Sequence, residues 1–121
     1  MCSSDLDVAF SSVAVDGVTT YNSQTTTSLA SGATDQISST TRLTQKVIIT
    51  IVDDVSGEMH VLEALAFRKG TSAYLTTYGE MYTASALATF TADVNAGATR
   101  ILATNASANP VTIKVARISV Y

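Results

Sequence analysis

Lys46-Val47-Ile48-Ile49-Thr50-Ile51-Val52-Asp53 opens the part of the chain that decides its fold. Val47, Ile49 and Ile51 fall on one side of an extended backbone, because successive side chains of a strand point to opposite faces. The alternation recurs downstream. Met59, Val61 and Leu65 share a face with Glu63 among them, and Ile113, Val115 and Ile118 carry the last segment to Tyr121. Half-buried antiparallel strands produce this period of two.

Outward from that segment, the pattern predicts strands over 42–53, 58–67, 72–78, 80–83, 87–93, 99–105 and 111–120. Turn chemistry separates them: Asp53-Asp54-Val55-Ser56-Gly57, Arg68-Lys69-Gly70-Thr71, Asn95-Ala96-Gly97 and Asn105 to Pro110. Gly79, after Tyr78, marks a bulge or kink inside one long strand. Pro110 cannot donate to a ladder and belongs to the turn before the last strand. Met81 to Asp93 is rich in alanine, but Thr83, Thr89, Phe90 and Thr91 favour extended structure. Regular short strands of this spacing predict an all-β fold, a jelly-roll-like antiparallel β-sandwich of about seven or eight strands.

Upstream, Val8 to Val15 reads as a strand closed by Asp16-Gly17. Residues 21–41 are low in complexity, with Leu29 and Ile37 the main groups to bury. Residues 7–41 are thus expected to be a Ser/Thr-rich lead-in with one or two edge strands, a strand near 25–30 among them, before a sandwich body at 42–121. Met1-Cys2-Ser3-Ser4-Asp5-Leu6 is what GTG-TGC-TCT-TCC-GAT-CT encodes when GTG is the start codon, a string resembling a sequencing-adapter end. Residues 1–6 are therefore expected to be an assembly scar ahead of the C-terminal part of a longer protein.

Composition bounds the function. A chain of 121 residues suits one domain, and a 46% hydrophobic content can fill a core. Charged residues are 14%, below the ~25% usual for soluble domains. Hydroxyls supply the polar surface instead, since 33 of 121 residues are Ser or Thr. Net charge is −3, and the basic residues are scattered at 42, 46, 68, 69, 100, 114 and 117. No basic face forms, so nucleic acid is not an expected partner. No apolar run is long enough for a membrane-spanning helix, and none is expected to insert. Cys2 is the single cysteine, which excludes an internal disulfide.

The residues that could carry chemistry are few. His60 is the single histidine, with no serine in a recognisable nucleophile motif to form a triad. Asp53, Asp54 and Glu58 precede it, a carboxylate cluster that reads either as a hard-cation site or as a solvated hairpin tip; it lacks the ligand spacing of a calcium loop. Neither a catalytic residue, a metal site nor a cofactor is expected. Glu63 on an apolar row is costly unless paired, and Arg42, Lys46, Arg100, Lys114 and Arg117 are candidate partners. Tyr74, Tyr78 and Tyr82 have even spacing and would line one face of a regular strand. Such a row serves core or subunit packing, or stacks on sugar rings, with Tyr74 and Tyr78 the possible glycan contacts. Charges are sparse between Tyr82 and Ala92, which makes Met81 to Phe90 the expected contact between copies, with Tyr82, Leu87 and Phe90 as anchors.

The order of segments resembles a β-rich domain of virion structural and tail-fibre-like proteins of marine tailed phages, the cyanophage type. The residues that carry it are Val61-Leu62-Glu63-Ala64-Leu65, Arg68 to Tyr74, Leu75-Thr76-Thr77-Tyr78-Gly79, Phe90-Thr91-Ala92-Asp93-Val94 and Val115-Ala116-Arg117, with Thr34 to Arg42 as a lead-in. Arg68-Lys69 stand where the family has His-Asp, and Thr77 where it has Glu. The resemblance implies a non-enzymatic virion component acting in particle assembly, located in a tail fibre, baseplate, neck or capsid decoration. A carbohydrate-binding host-adhesion module is the alternative. Partners would be other copies (a trimer if the domain belongs to a fibre), other virion proteins and, for an adhesin, a host surface glycan. Glu63 and Arg117 both fit the family pattern, so Arg117 is the first expected ion-pair partner of Glu63.

Overall fold

Strand β4 (Thr44–Asp53) anchors the architecture: Gln45, Val47, Ile49, Ile51 and Asp53 point inward and are buried. The computed structural model describes residues 12–121. Residues 1–6, expected to be a scar, and the start of the Val8 to Val15 strand lie outside the described residues. Eight further strands complete the described fold: β1 (Ser12–Val15), β2 (Thr19–Leu29), β3 (Thr34–Thr40), β5 (Met59–Lys69), β6 (Ser72–Tyr82), β7 (Ala88–Asn95), β8 (Ala98–Asn105) and β9 (Val111–Val120). No helix occurs among the described residues.

The strands divide into a six-stranded sheet, ordered β1-β2-β9-β4-β5-β6, and a three-stranded sheet, ordered β3-β8-β7. Every pairing is antiparallel. The all-β sandwich expected from alternation is therefore the fold, with nine strands instead of seven or eight. The count differs for two reasons. The segments 72–78 and 80–83 are one strand, β6, bent at Gly79. The Ser/Thr-rich lead-in supplies three strands, and only β1 and β3 are edges; β2 pairs on both sides, with β1 and β9. Threonine suits such a place, since its branched Cβ packs on a pleated surface.

The core lies between the sheets. Ile37 from β3, Ile49 and Ile51 from β4, Leu62 from β5, Ile101 from β8 and Ile113 from β9 are all fully buried. Burying one such side chain contributes about 1.5–3 kcal/mol. Polar networks close both ends. At one, Ser38 Oγ donates to Gln45 Oε1 at 2.5 Å, Gln45 Nε2 donates to the Thr99 carbonyl at 3.0 Å, and Arg117 donates to Ser38 Oγ at 3.1 Å. At the other, the Asp53 carboxylate receives the N–H groups of Val55 and Ser56, each at 2.9 Å, the Ser107 hydroxyl at 2.6 Å and the Asn109 amide at 3.3 Å. This ties the β4–β5 turn to the β8–β9 loop.

Asp16-Gly17 makes the expected tight turn, with both residues at positive φ (53° and 64°) and Val18 N–H donating to the Val15 carbonyl. Paired positive φ values give the twist that a β-hairpin requires.

Candidate functional site

The two sheets present different faces to the surroundings. The register of the small sheet aligns Thr34, Thr104 and Thr89 in one outward row and Ser39, Arg100 and Asp93 in another. Thr34 and Thr104 hydrogen-bond at 2.7 Å, and Arg100 makes a two-pronged contact with Asp93 at 2.8 and 2.6 Å. The guanidinium bond holds the Asp93 carboxyl below its usual range and raises Arg100 in turn. This face is polar, and its hydrogen-bonding groups suit water.

The outer face of the large sheet carries many exposed apolar side chains, set among Ser23, Thr25, Thr50, Thr76 and the charged Lys46, Glu63 and Lys114. Register places Tyr21 and Ile118 beside Lys46, Ala116 beside Ile48 and Glu63, and Val52 beside Met59. Further across lie Leu65, Phe67, Tyr74, Tyr78 and Met81. Ile48 is 49% exposed, Tyr74 51% and Met81 68%. A shallow hollow of about 270 Å³ opens over Ala116 between Tyr21, Lys46, Ile48 and Ile118. Phe67 and Tyr74 stack with ring centroids 4.8 Å apart and planes 15° from parallel.

The expected row of three tyrosines is broken. Gly79 adopts φ +64° where the β5–β6 register shifts, so Tyr78 and Met81 both face outward while Tyr82 pairs with His60 on the inner side. A bulge adds one residue to one strand and reverses the alternation beyond it. Tyr74 and Tyr78 stay together on the outer face; Tyr82 instead meets the His60 ring edge-on at 5.6 Å.

Of the three anchors expected for a copy contact at Met81 to Phe90, two turn inward. Leu87 is only 4% exposed in the core, and Phe90 packs against that core with its ring 6.2 Å from His60. Leu87 and Phe90 are thus used by the chain itself where it crosses from β6 to β7, while Tyr82 stays 50% exposed.

The expected Glu63–Arg117 pair is corrected as well. Arg117 aligns with Val47 on the inner face, whereas Glu63 aligns with Ile48 on the outer one. The sheet separates them. Glu63 pairs with Lys46 at 3.5 Å, a diagonal neighbour on the same face. Arg117 is half-buried, its charge is disfavoured by burial, and Ser38 accepts its N–H. The row of Met59, Val61 and Leu65 that suggested a buried Glu63 is the outer row; His60, Leu62, Ala64 and Ala66 are the buried residues of β5.

His60 is fully buried and both ring nitrogens are engaged. Nδ1 accepts the Leu87 N–H at 3.1 Å, so Nε2 bears the proton and donates to Glu80 Oε2 at 2.9 Å. Asp53 is equally committed: hydrogen bonds from Ser107, Ser56, Val55 and Asn109 hold its carboxyl far below the usual carboxylate range. The cluster of Asp53, Asp54, Glu58 and His60 is dispersed by these bonds. Asp54 Oδ1 accepts from Thr112 Oγ1, and Glu58 accepts from the Thr83 hydroxyl. Sequence reasoning missed the Asp53 pin; the Asp-Asp-x-Ser-Gly turn was its signal, but Ser107 and Asn109 are distant in the chain.

No protein-family model matches the chain, and no curated protein matches it by sequence. Its fold is similar to solved phage proteins. All of the chain overlays on 26% of the tailspike protein of Acinetobacter phage vB_ApiP_P1, with a TM-score of 0.58 and 12% identity. Of this chain, 91% overlays on 19% of tailspike gp49 of Acinetobacter baumannii bacteriophage Fri1, described as a capsular polysaccharide depolymerase, with a TM-score of 0.51 and 16% identity. The chain thus spans about a quarter or less of the length of either tailspike.

Proposed function

We propose that this chain is a structural module of a bacteriophage tail spike or fibre, part of the virion, that acts in particle assembly and host attachment. The observation that carries the reading is the overlay of the whole chain on one segment of a phage tailspike. The segment order that resembles tail-fibre-like proteins of marine tailed phages supports it independently and favours the cyanophage type. The module works as a homo-oligomer, trimeric in a fibre, alongside other virion proteins.

In this reading the module works without catalysis of its own. Glycosidases need two carboxyl groups free to act across a bond. Here Asp53 is filled by donors, Asp93 is held by Arg100, and His60 has both nitrogens engaged in the interior. A depolymerase activity named for a neighbouring tailspike would belong to other parts of such a protein. Immunogold labelling of purified particles with an antibody to this chain tests the reading. Label on the tail is expected, and label absent from intact particles would reject it.

A second reading is a glycan-binding adhesin. The stacked Phe67 and Tyr74 rings, with Tyr78 nearby, offer π-faces to a sugar ring. A glycan array decides it: binding lost in Tyr74→Ala is expected of an adhesin, and an array without signal rejects that role.

A further inference from the structure

We infer that copies of this chain meet through the outer face of the six-stranded sheet. The inference deepens the spike-module reading by naming its copy-to-copy surface, and it rests on that reading for the homo-oligomeric partner. It relocates the contact from Met81 to Phe90, whose anchors Leu87 and Phe90 are used in the core.

The asymmetry of the two faces comes first. The small sheet presents threonines and an ion pair, while the large sheet, beside its own Lys46–Glu63 pair and threonines, exposes the large aliphatic and aromatic side chains. Scattered exposed apolar residues are ordinary, but a contiguous apolar patch on one face marks an interaction site. Tyr, Phe and Met, the residue types enriched in interface cores, are those exposed here at Tyr74, Phe67 and Met81.

Size is the second argument. Six strands spaced about 4.8 Å apart and about nine residues long make a face of roughly 700 Å². A stable protein interface covers about 800 Å² per partner. The face therefore falls in the lower part of the range of about 600–1,000 Å² per partner when it is covered nearly whole, and it is far larger than a sugar ring needs.

Charge is the third. A surface that meets its own copy must not repel itself. Glu63 is neutralised by Lys46 on the same face. Lys114, beside Thr25 and Thr50 in the register, and Lys69, beside Ser72 at the end of β5, add two further charges. The other outward residues between β2 and β6 are uncharged, Tyr21, Ile48, Leu65 and Tyr74 among them. A strongly basic partner would find no unpaired acid here, whereas another copy meets a surface that is mostly uncharged. Hollows over Ala116 and margins built from Tyr21 and Phe67 give the relief that two such sheets need to interlock.

The test is the solution size of the full chain at micromolar concentration, by sedimentation velocity, with circular dichroism to confirm folding. Ile48→Lys and Tyr74→Lys alter the face; Thr91→Lys on the small sheet is the control. The wild type and the control should sediment as oligomers, and the face variants should shift to monomer with their β signature intact. A monomeric wild type, or face variants that keep the oligomeric size, overturns the inference. If a lysine variant fails to fold, thiol protection replaces it. In a Cys2→Ser background, Thr50→Cys should be shielded from labelling at high protein concentration and react on dilution, while Thr91→Cys reacts at both. Equal reactivity of Thr50→Cys at both concentrations overturns the inference. A monomer whose glycan binding is lost in Tyr74→Lys would also overturn it, as the face would then be a ligand surface. The particle location is tested by immunogold labelling and stands or falls separately.

Discussion

The ring of His60 holds the backbone of Leu87: Nδ1 accepts the Leu87 N–H at 3.1 Å inside the sandwich, where β6 gives way to β7. Glu80 Oε2, at 2.9 Å from Nε2, fixes the ring and its tautomer. The chain changes sheets here, so this N–H lies outside any ladder. A side chain has to satisfy it, because a buried donor without an acceptor is costly.

Replacing His60 with Leu should therefore destabilise the fold by about 1–3 kcal/mol, the cost of an unsatisfied buried donor. Glu80 is half exposed, so Glu80→Gln should cost less than about 1 kcal/mol. Urea unfolding of both variants checks the order. Equal losses would show that Glu80, and not the Leu87 N–H, dominates at this point.

Asp53 predicts an acid limb in stability. Its folded-state carboxyl lies far below the ordinary range, so the unfolded chain takes up this proton first as pH falls. The stabilisation is full above the unfolded carboxylate value of about 4 and declines steadily as pH drops below it. Asp93 acts in the same direction through Arg100. Thermal melts from pH 7 to pH 2 should show this decline, and Asp53→Asn should lower the melting temperature at pH 7 and flatten the acid limb. An unchanged acid limb in Asp53→Asn would refute the assignment.

Gly79→Ala should destabilise by about 1–2 kcal/mol, because a Cβ at φ +64° meets the following carbonyl. Space is not the obstacle, as the nearest atom to a new Cβ is Glu63 Oε2 at 3.9 Å. Chemical denaturation measures the loss. A neutral result would mean that the bulge relaxes and that Tyr82 can leave His60.

A double-mutant cycle on Lys46→Met and Glu63→Gln should give a coupling of about 0.2–1 kcal/mol, the range for exposed pairs. The cycle on Glu63→Gln and Arg117→Met should give none, since the side chains leave opposite faces of the sheet. Coupling in the second cycle and not the first would reverse the assignment.

The legible part of this protein was local. Alternation from Lys46 to Tyr121 encodes strands because pleating repeats every two residues, and Asp16-Gly17 and Gly79 encode a turn and a bulge because few residues accept positive φ. Fold class and most strand boundaries follow from such short-range terms. Alternation does not say which of two faces is inside. On β5 the row of Met59, Val61 and Leu65 is as apolar as its opposite, and only the small sheet packed against His60, Leu62 and Ala64 decides between them. That one ambiguity moved Glu63 from a buried pair with Arg117 to an exposed pair with Lys46. The extra residue at Gly79 likewise turned Tyr82 away from Tyr74 and Tyr78. Leu87 and Phe90 looked available because strand period says nothing of where a chain crosses between sheets. The sequence by itself determined the strands, the turns and the scarcity of charge. Tertiary packing alone decided which apolar face was covered and which was left open, because burial is a relation between elements distant in the chain.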